Sequence, residues 1–245
     1  MIQVNNVIKE FDGFRALDGV NMHVKKGAIY GLVGPNGAGK STIIRHLTGV
    51  YRQDAGEVFV NGKEVFENRL VKEKIAYIPD ELFYFLQADT REMMRYYAGL
   101  YPTFDKEMFL ALRDYFPTID LKRNIRRLSK GMQKQAAFHL SICTRPDMLI
   151  LDEPVDGLDP VMRRQVWSLI LSDVAERGTT VLISSHNLRE LEDICDHVGI
   201  MDKGQMLLEK SLASMQGNTV KLQLVGDTPA DLEVLHTSAS GRLNT

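Results

Sequence analysis

One stretch constrains this chain more than any other: Gly34-Pro35-Asn36-Gly37-Ala38-Gly39-Lys40-Ser41-Thr42. It fits the pattern G-x-x-x-x-G-K-[ST], and it lies between a short apolar run over 28–33 and a helix-like segment over 41–48. Glycines let successive backbone N–H groups turn inward around phosphate oxygens, and the following helix aims its positive end at them. Lys40 adds a point charge for the β- and γ-phosphates of a nucleotide, and the Ser41 hydroxyl suits Mg²⁺. A glycine-rich turn can match the pattern by chance, but the strand–loop–helix setting favours the phosphate reading. A chain built this way needs a buried strand that feeds a helix.

The rest of the sequence supplies further strands of the same kind. Residues 2–8 and 20–24 alternate apolar and polar positions around a turn-rich Phe11-Asp12-Gly13, and 57–60 and 64–66 flank an Asn61-Gly62 turn. These read as an antiparallel part. Short apolar runs over 75–79, 148–151 and 180–183 read as buried strands, with a helix over 160–176 between the last two. From about 81 to 145, Met, Leu, Tyr and Arg recur at helical spacing, notably over 91–100 and 106–115, and this reads as a helical insert. Residues 198–202 and 205–208, around Lys203-Gly204, read as a closing hairpin. The expected fold class is α/β, with a mostly parallel sheet, an antiparallel β part and the helical insert. The expected main domain spans 1–217. Over 218–245 only 220–225 suggests a strand, 237–245 has no pattern, and the segment reads as a tail or a truncated appendage.

The second chemical motif ends the run over 148–151. Asp152 follows the apolar strand, in position to bind Mg²⁺ directly or through water, and Glu153 comes next, in position to orient and deprotonate a water. An acidic turn after a strand is commonly just solvated, but beside a phosphate loop that reading loses ground. Three more segments belong with these. Leu128-Ser129-Lys130-Gly131-Met132 opens a long helix, Asp156-Gly157-Leu158-Asp159 follows the acidic pair, and Ser184-Ser185-His186 follows the next strand.

Taken together, these motifs resemble the ATP-binding-cassette ATPases, the nucleotide-binding subunits of ABC transporters, over residues 1–215. The resemblance makes 34–42 the Walker A loop, 148–153 the Walker B strand, 128–132 the LSGGQ-like motif, 156–159 the D-loop region and His186 the switch histidine. It implies that Phe11 stacks on adenine, with Phe14 as a rival. It also implies that two such domains pair head to tail, so that Ser129 and Gly131 of one subunit meet the nucleotide on the other's loop. The expected cofactors are ATP and Mg²⁺, and the expected activity is ATP hydrolysis coupled to transport. Glu153, His186 and Lys40 would be catalytic, Ser41 and Asp152 would hold the metal, and Asp159 would lie near the nucleotide.

The sequence departs from the family pattern in places. Lys130 and Met132 replace residues of LSGGQ, and Gln135 stands where the family often has Arg. After the strand over 75–79 the family usually has Gln, and here Asp80 and Glu81 follow. Asp80 is thus a candidate metal or nucleotide ligand, and it adds negative charge near the γ-phosphate.

No run approaches the roughly 18 apolar residues of a membrane span. The expectation is therefore a soluble, cytoplasmic chain, peripheral on the inner face of the cell membrane through a separate permease. Cys143 and Cys195 are in no CxxC spacing and read as reduced structural thiols. The run Leu82-Phe83-Tyr84-Phe85-Leu86 is a docking patch for that permease or part of the insert's own core. A soluble ATPase acting on nucleic acid or the ribosome is the alternative, disfavoured by a net charge of −2. The Lys-Gly-Met variant, the short connection over 209–215 and the run Ile78-Pro79-Asp80-Glu81-Leu82-Phe83 resemble bacterial exporter subunits of the bacitracin-export and cell-envelope-stress type.

Overall fold

A computed structural model describes residues 1–212, 239–240 and 243–244 of the 245-residue chain. The N-terminal alternation folds into a hairpin longer than its pattern suggests. Strand β1 (Ile2–Phe11) runs antiparallel to β2 (Phe14–Val24), turning at Asp12-Gly13. Register shifts between Val4 and Glu10 break the alternation, which is why the sequence shows only its two ends. After β3 (Ile29–Val33) and α1 (Lys40–Leu47), strand β4 (Ala55–Val60) pairs with β1, and β5 (Lys63–Glu64) pairs with β4. Asn61 and Gly62 both have positive φ, as the tight hairpin turn between β4 and β5 requires.

A short α2 (Arg69–Lys72) leads into β6 (Ile75–Ile78). The helical segment then contains α3 (Thr90–Leu100), α4 (Lys106–Ala111) and α5 (Lys130–Ile142). The helix expected over 106–115 ends at Ala111 and tightens into a 3₁₀ turn, Leu112–Asp114. Asp89 and Glu92 form a capping box on α3, Asp105 caps α4 and Ser129 caps α5. Strand β7 (Met148–Asp152), α6 (Pro160–Arg177), β8 (Thr180–Ser185), β9 (His197–Asp202) and β10 (Gln205–Ser211) follow. Asp159 caps α6 ahead of Pro160 at its first turn, and Gly178 closes it in the left-handed conformation.

The main sheet has the order β10-β9-β3-β8-β7-β6, parallel except for β10. Both faces are covered. Ile29, Val33, Leu149, Leu151, Val181 and Ile183 pack toward the helical segment, while Tyr30, Leu32, Met148, Ile150 and Leu182 pack toward α1 and the antiparallel sheet. Each such fully buried aliphatic side chain contributes about 1.5–3 kcal/mol. Strand β8 separates β3 from β7, so the carboxylate strand is one strand removed from the loop's own strand.

Cys143 and Cys195 are free and buried, and burial pushes both thiols up to about 12. Ala239–Ser240 pairs antiparallel with Leu243–Asn244, within the stretch over 237–245 where the sequence shows no pattern. The strand suggested over 220–225 and the boundary at 217 lie outside the described residues.

Candidate functional site

Parallel strands release their chains at one edge of the sheet, and ligands of such folds bind there. Here β3 ends at the loop, β8 at Ser184-Ser185-His186, β7 at Asp152-Glu153 and β6 just before Asp80. Cα pairing puts Leu32 beside Ser184, Val33 beside Ser185 and Asp152 beside Ser184. The loop and the carboxylate pair therefore meet through β8.

Two glycines of the loop are required by geometry. A Cβ on Gly34 would collide with the Met201 carbonyl, and Gly39 has φ +104 with the Ala16 carbonyl against its Cβ position. Gly39 is also the N-cap of α1 and provides no side chain to the helix. The other α-helices among the described residues each begin with a side-chain acceptor on a backbone N–H. Only the N-terminus of α1 lacks one, and it leaves its first amides and its dipole for an anion.

The groove above α1 is lined by Phe14, Ala16, Asn36, Gly37, Ala38, Gly39, Lys40, Ser41, Thr42, Asp80, Asp152 and Glu153. Lys40 is buried; its Nζ donates to the Gly34 carbonyl at 2.7 Å and lies 3.7 Å from Glu153 Oε1. Asp152 is also buried and accepts a hydrogen bond from the Ser184 hydroxyl. Glu153 donates its N–H to the Ser184 main-chain carbonyl and hydroxyl, both at 3.2 Å. Its carboxylate accepts from His186 Nδ1 at 3.0 Å, and this bond raises the imidazole above its usual pKa.

Some expected residues lie elsewhere within one chain. Phe11 pairs with Phe14 across the hairpin, but its ring packs edge-on against Tyr51 with Lys9 over its face, and Phe14 lines the groove. Ser129 caps α5 and Gly131 packs against Gly157, while Asp159 accepts from the Val161 and Met162 amides as the cap of α6. None of these three lines the groove. Gln135 is buried and accepts from the Thr118 hydroxyl, a use that needs no charge at that position.

Two residues at the site carried no role in the sequence reading. Ser184 is buried between the Asp152 carboxylate and the Glu153 main chain, and its signal was a polar residue where the apolar run of β8 meets the loop edge. Lys134, buried on α5, donates to the Glu153 carbonyl at 2.7 Å and lies 3.5 Å from Asp80 Oδ1. Its signal was one lysine among the apolar residues of a buried helix. The aromatic run after β6 divides: Tyr84 is buried with its hydroxyl donating to the Gln133 carbonyl, whereas Phe83 and Leu86 are 80% and 76% exposed.

An uncapped helix behind a glycine-rich loop, facing a buried carboxylate, defines a nucleotide-binding protein of the phosphate-loop class. Residues 17–156 match the family described as ABC transporter, and the chain belongs to that family as an ATP-binding subunit. It is 32% identical to the ABC transporter ATP-binding protein YtrB of Bacillus subtilis, covering 96% of this chain and 80% of that one. It is 30% identical to the linearmycin resistance ATP-binding protein LnrL of the same organism, covering 91% and 74%. A solved ATP-binding subunit of an ABC transporter superposes with a TM-score of 0.81 at 25% identity, covering 88% of this chain and 92% of that one. No helix among the described residues is long and apolar enough to cross a membrane.

Proposed function

We propose that the chain hydrolyses MgATP at a site completed by a second copy, and that it drives export through a separate membrane-spanning chain. The observation carrying this reading is the convergence of the uncapped α1, Asp152, Glu153 and His186 at one sheet edge. The free amides of α1 and Lys40 receive the β- and γ-phosphates, and adenine stacks at the hairpin tip on Phe14, which lines the groove. The residues fit Mg²⁺, since a buried carboxylate on Asp152 and the Ser41 hydroxyl both line the groove. Asp152 and Ser41 would hold the ion, which would supply positive charge to offset that of the phosphates.

Glu153 takes a proton from a water as that water's oxygen attacks the γ-phosphorus, giving ADP and phosphate. His186 holds the carboxylate by its Nδ1–H and presents its far edge to the γ-phosphate. Ser129 and Gly131 do not line the chain's own groove, which supports their delivery from a partner copy, the cap of α5 facing the γ-phosphate of the other subunit. Phe83, Phe85 and Leu86 offer an exposed apolar surface on the helical segment, with Phe85 packed on Tyr96 at 4.9 Å, and this surface docks on the permease. The likeness to LnrL, named for linearmycin resistance, and to the lantibiotic transport ATP-binding protein SrtF of Streptococcus pyogenes supports export.

The test is ATPase turnover by the purified chain with Mg²⁺, with and without DNA or RNA, and with the membrane protein that co-purifies with it. Turnover stimulated by the permease and indifferent to nucleic acid is expected. Stimulation by nucleic acid alone would favour an ATPase acting on nucleic acid.

A further inference from the structure

Glu153 has an unusual backbone. Its φ is +46°, in the left-handed region that a residue with a Cβ rarely occupies. Strain of this kind persists only where the surroundings fix the main chain from several sides. On one side, β8 accepts the Glu153 N–H at the carbonyl and hydroxyl of Ser184. On the other, the Glu153 carbonyl accepts from Lys134 Nζ at 2.7 Å. Lys134 sits one helical turn into α5, the helix that Ser129 caps.

A buried ammonium is expensive without partners, and this one has two acceptors. The Lys134 side chain is 7% exposed, and its second acceptor is Asp80 Oδ1 at 3.5 Å, on a side chain 55% exposed at the groove. Asp80, read from sequence as extra negative charge near the γ-phosphate, is thus faced by a cation. The two acceptors lie on different segments, the end of β6 and the end of β7, so Lys134 ties both to the start of α5.

We propose that Lys134 is a positioning residue for hydrolysis: its ammonium, steadied by Asp80, holds the Glu153 main chain in the turn that presents the carboxylate to the attacking water. This rests on Glu153 being the base. The hydrogen bonds and ion pair of Lys134 go to Asp80 and Glu153 rather than to the loop, Ser41 or Asp152, so its loss leaves nucleotide binding in place and disturbs the proton-accepting step.

The experiment is steady-state ATPase of the full-length chain carrying Lys134→Met, Asp80→Asn, the double change, or Glu153→Gln, with ATP affinity and thermal midpoint measured on each. Lys134→Met is expected to lower kcat by about 10–100-fold, the usual cost of losing a partner that orients a reacting group. KM and the Kd for ATP are expected to stay within about threefold. Asp80→Asn, at a half-exposed position, is expected to lower kcat less, and the double variant to match Lys134→Met, because Asp80 acts through Lys134. A kcat for Lys134→Met within twofold of the parent would overturn the inference, as would losses that multiply in the double variant. If Lys134→Met fails to fold, Asp80→Asn decides, and an unchanged kcat there overturns it. Loss of turnover in Glu153→Gln beside an intact Lys134→Met removes this inference alone; normal turnover in Glu153→Gln removes the base assignment and the inference with it.

Discussion

Replacing Ser184 with alanine removes one hydroxyl from the centre of the site. That hydroxyl is buried; it donates to Asp152 and accepts a second, weaker bond from the Glu153 N–H, which keeps the Ser184 carbonyl in either case. The loss is thus one hydrogen bond to a buried carboxylate, worth about 2 kcal/mol. For a chain of this length each kcal/mol lowers the melting midpoint by about 2–4 °C, so a fall of about 4–8 °C is expected without nucleotide. On the proposed role of Asp152 in holding Mg²⁺, the change also removes the group that orients its carboxylate, and the Mg²⁺ concentration for half-maximal turnover is expected to rise about tenfold or more. Trp167 fluorescence follows the melting, and a Mg²⁺ titration of ATPase follows the site. A midpoint within about 1 °C of the parent together with an unchanged Mg²⁺ requirement would refute the reasoning, because the hydroxyl would then be orienting nothing.

The pH dependence of stability tests the buried histidines. His139 stacks on Phe109 and its Nε2–H donates to the Phe109 carbonyl, and burial lowers its pKa. The unfolded ring takes up a proton below about pH 6.5 while the folded one stays neutral, so stability falls as pH drops from there toward the lowered folded value. Melting followed from pH 7 to pH 5 is expected to show His139→Gln losing a slope of up to about 1.4 kcal/mol per pH unit, with His46, also lowered by burial, keeping a similar slope of its own. On the exposed patch, Phe83→Ser with Phe85→Ser is expected to leave melting within about 0.5 kcal/mol of the parent and basal ATPase intact, while co-purification of the permease is lost.

The parts of the fold legible in sequence are those set by local chemistry. The glycine pattern before Lys40, the apolar run over 28–33, the Asn61-Gly62 turn and the acidic end of β7 each announce themselves within a few residues. What was hidden depends on partners distant in the chain. No local pattern says that β8 lies between β3 and β7, and that insertion makes Ser184 the link between loop and carboxylates. Phe11 is drawn onto Tyr51, 40 residues away in sequence, which leaves Phe14 lining the groove, and no local pattern shows that contact. The segment from Glu81 to Ala88 belongs to no helix or strand, so neither period 2 nor period 3.6 could sort the buried Tyr84 from the exposed Phe83 and Leu86. Lys134 was invisible because a lysine in a buried helix reads as an exception to the pattern until its acceptors are seen.

The central claim is that this chain holds half of an ATP site and that Glu153 is its base. Sizing chromatography of Glu153→Gln with and without MgATP tests both parts, run beside a turnover assay. The account predicts ATP binding without turnover and a shift from monomer to dimer that appears only with ATP and is absent in the Lys40→Ala, Glu153→Gln double variant. Normal turnover by Glu153→Gln, or a monomer that stays monomeric while saturated with ATP, would contradict it.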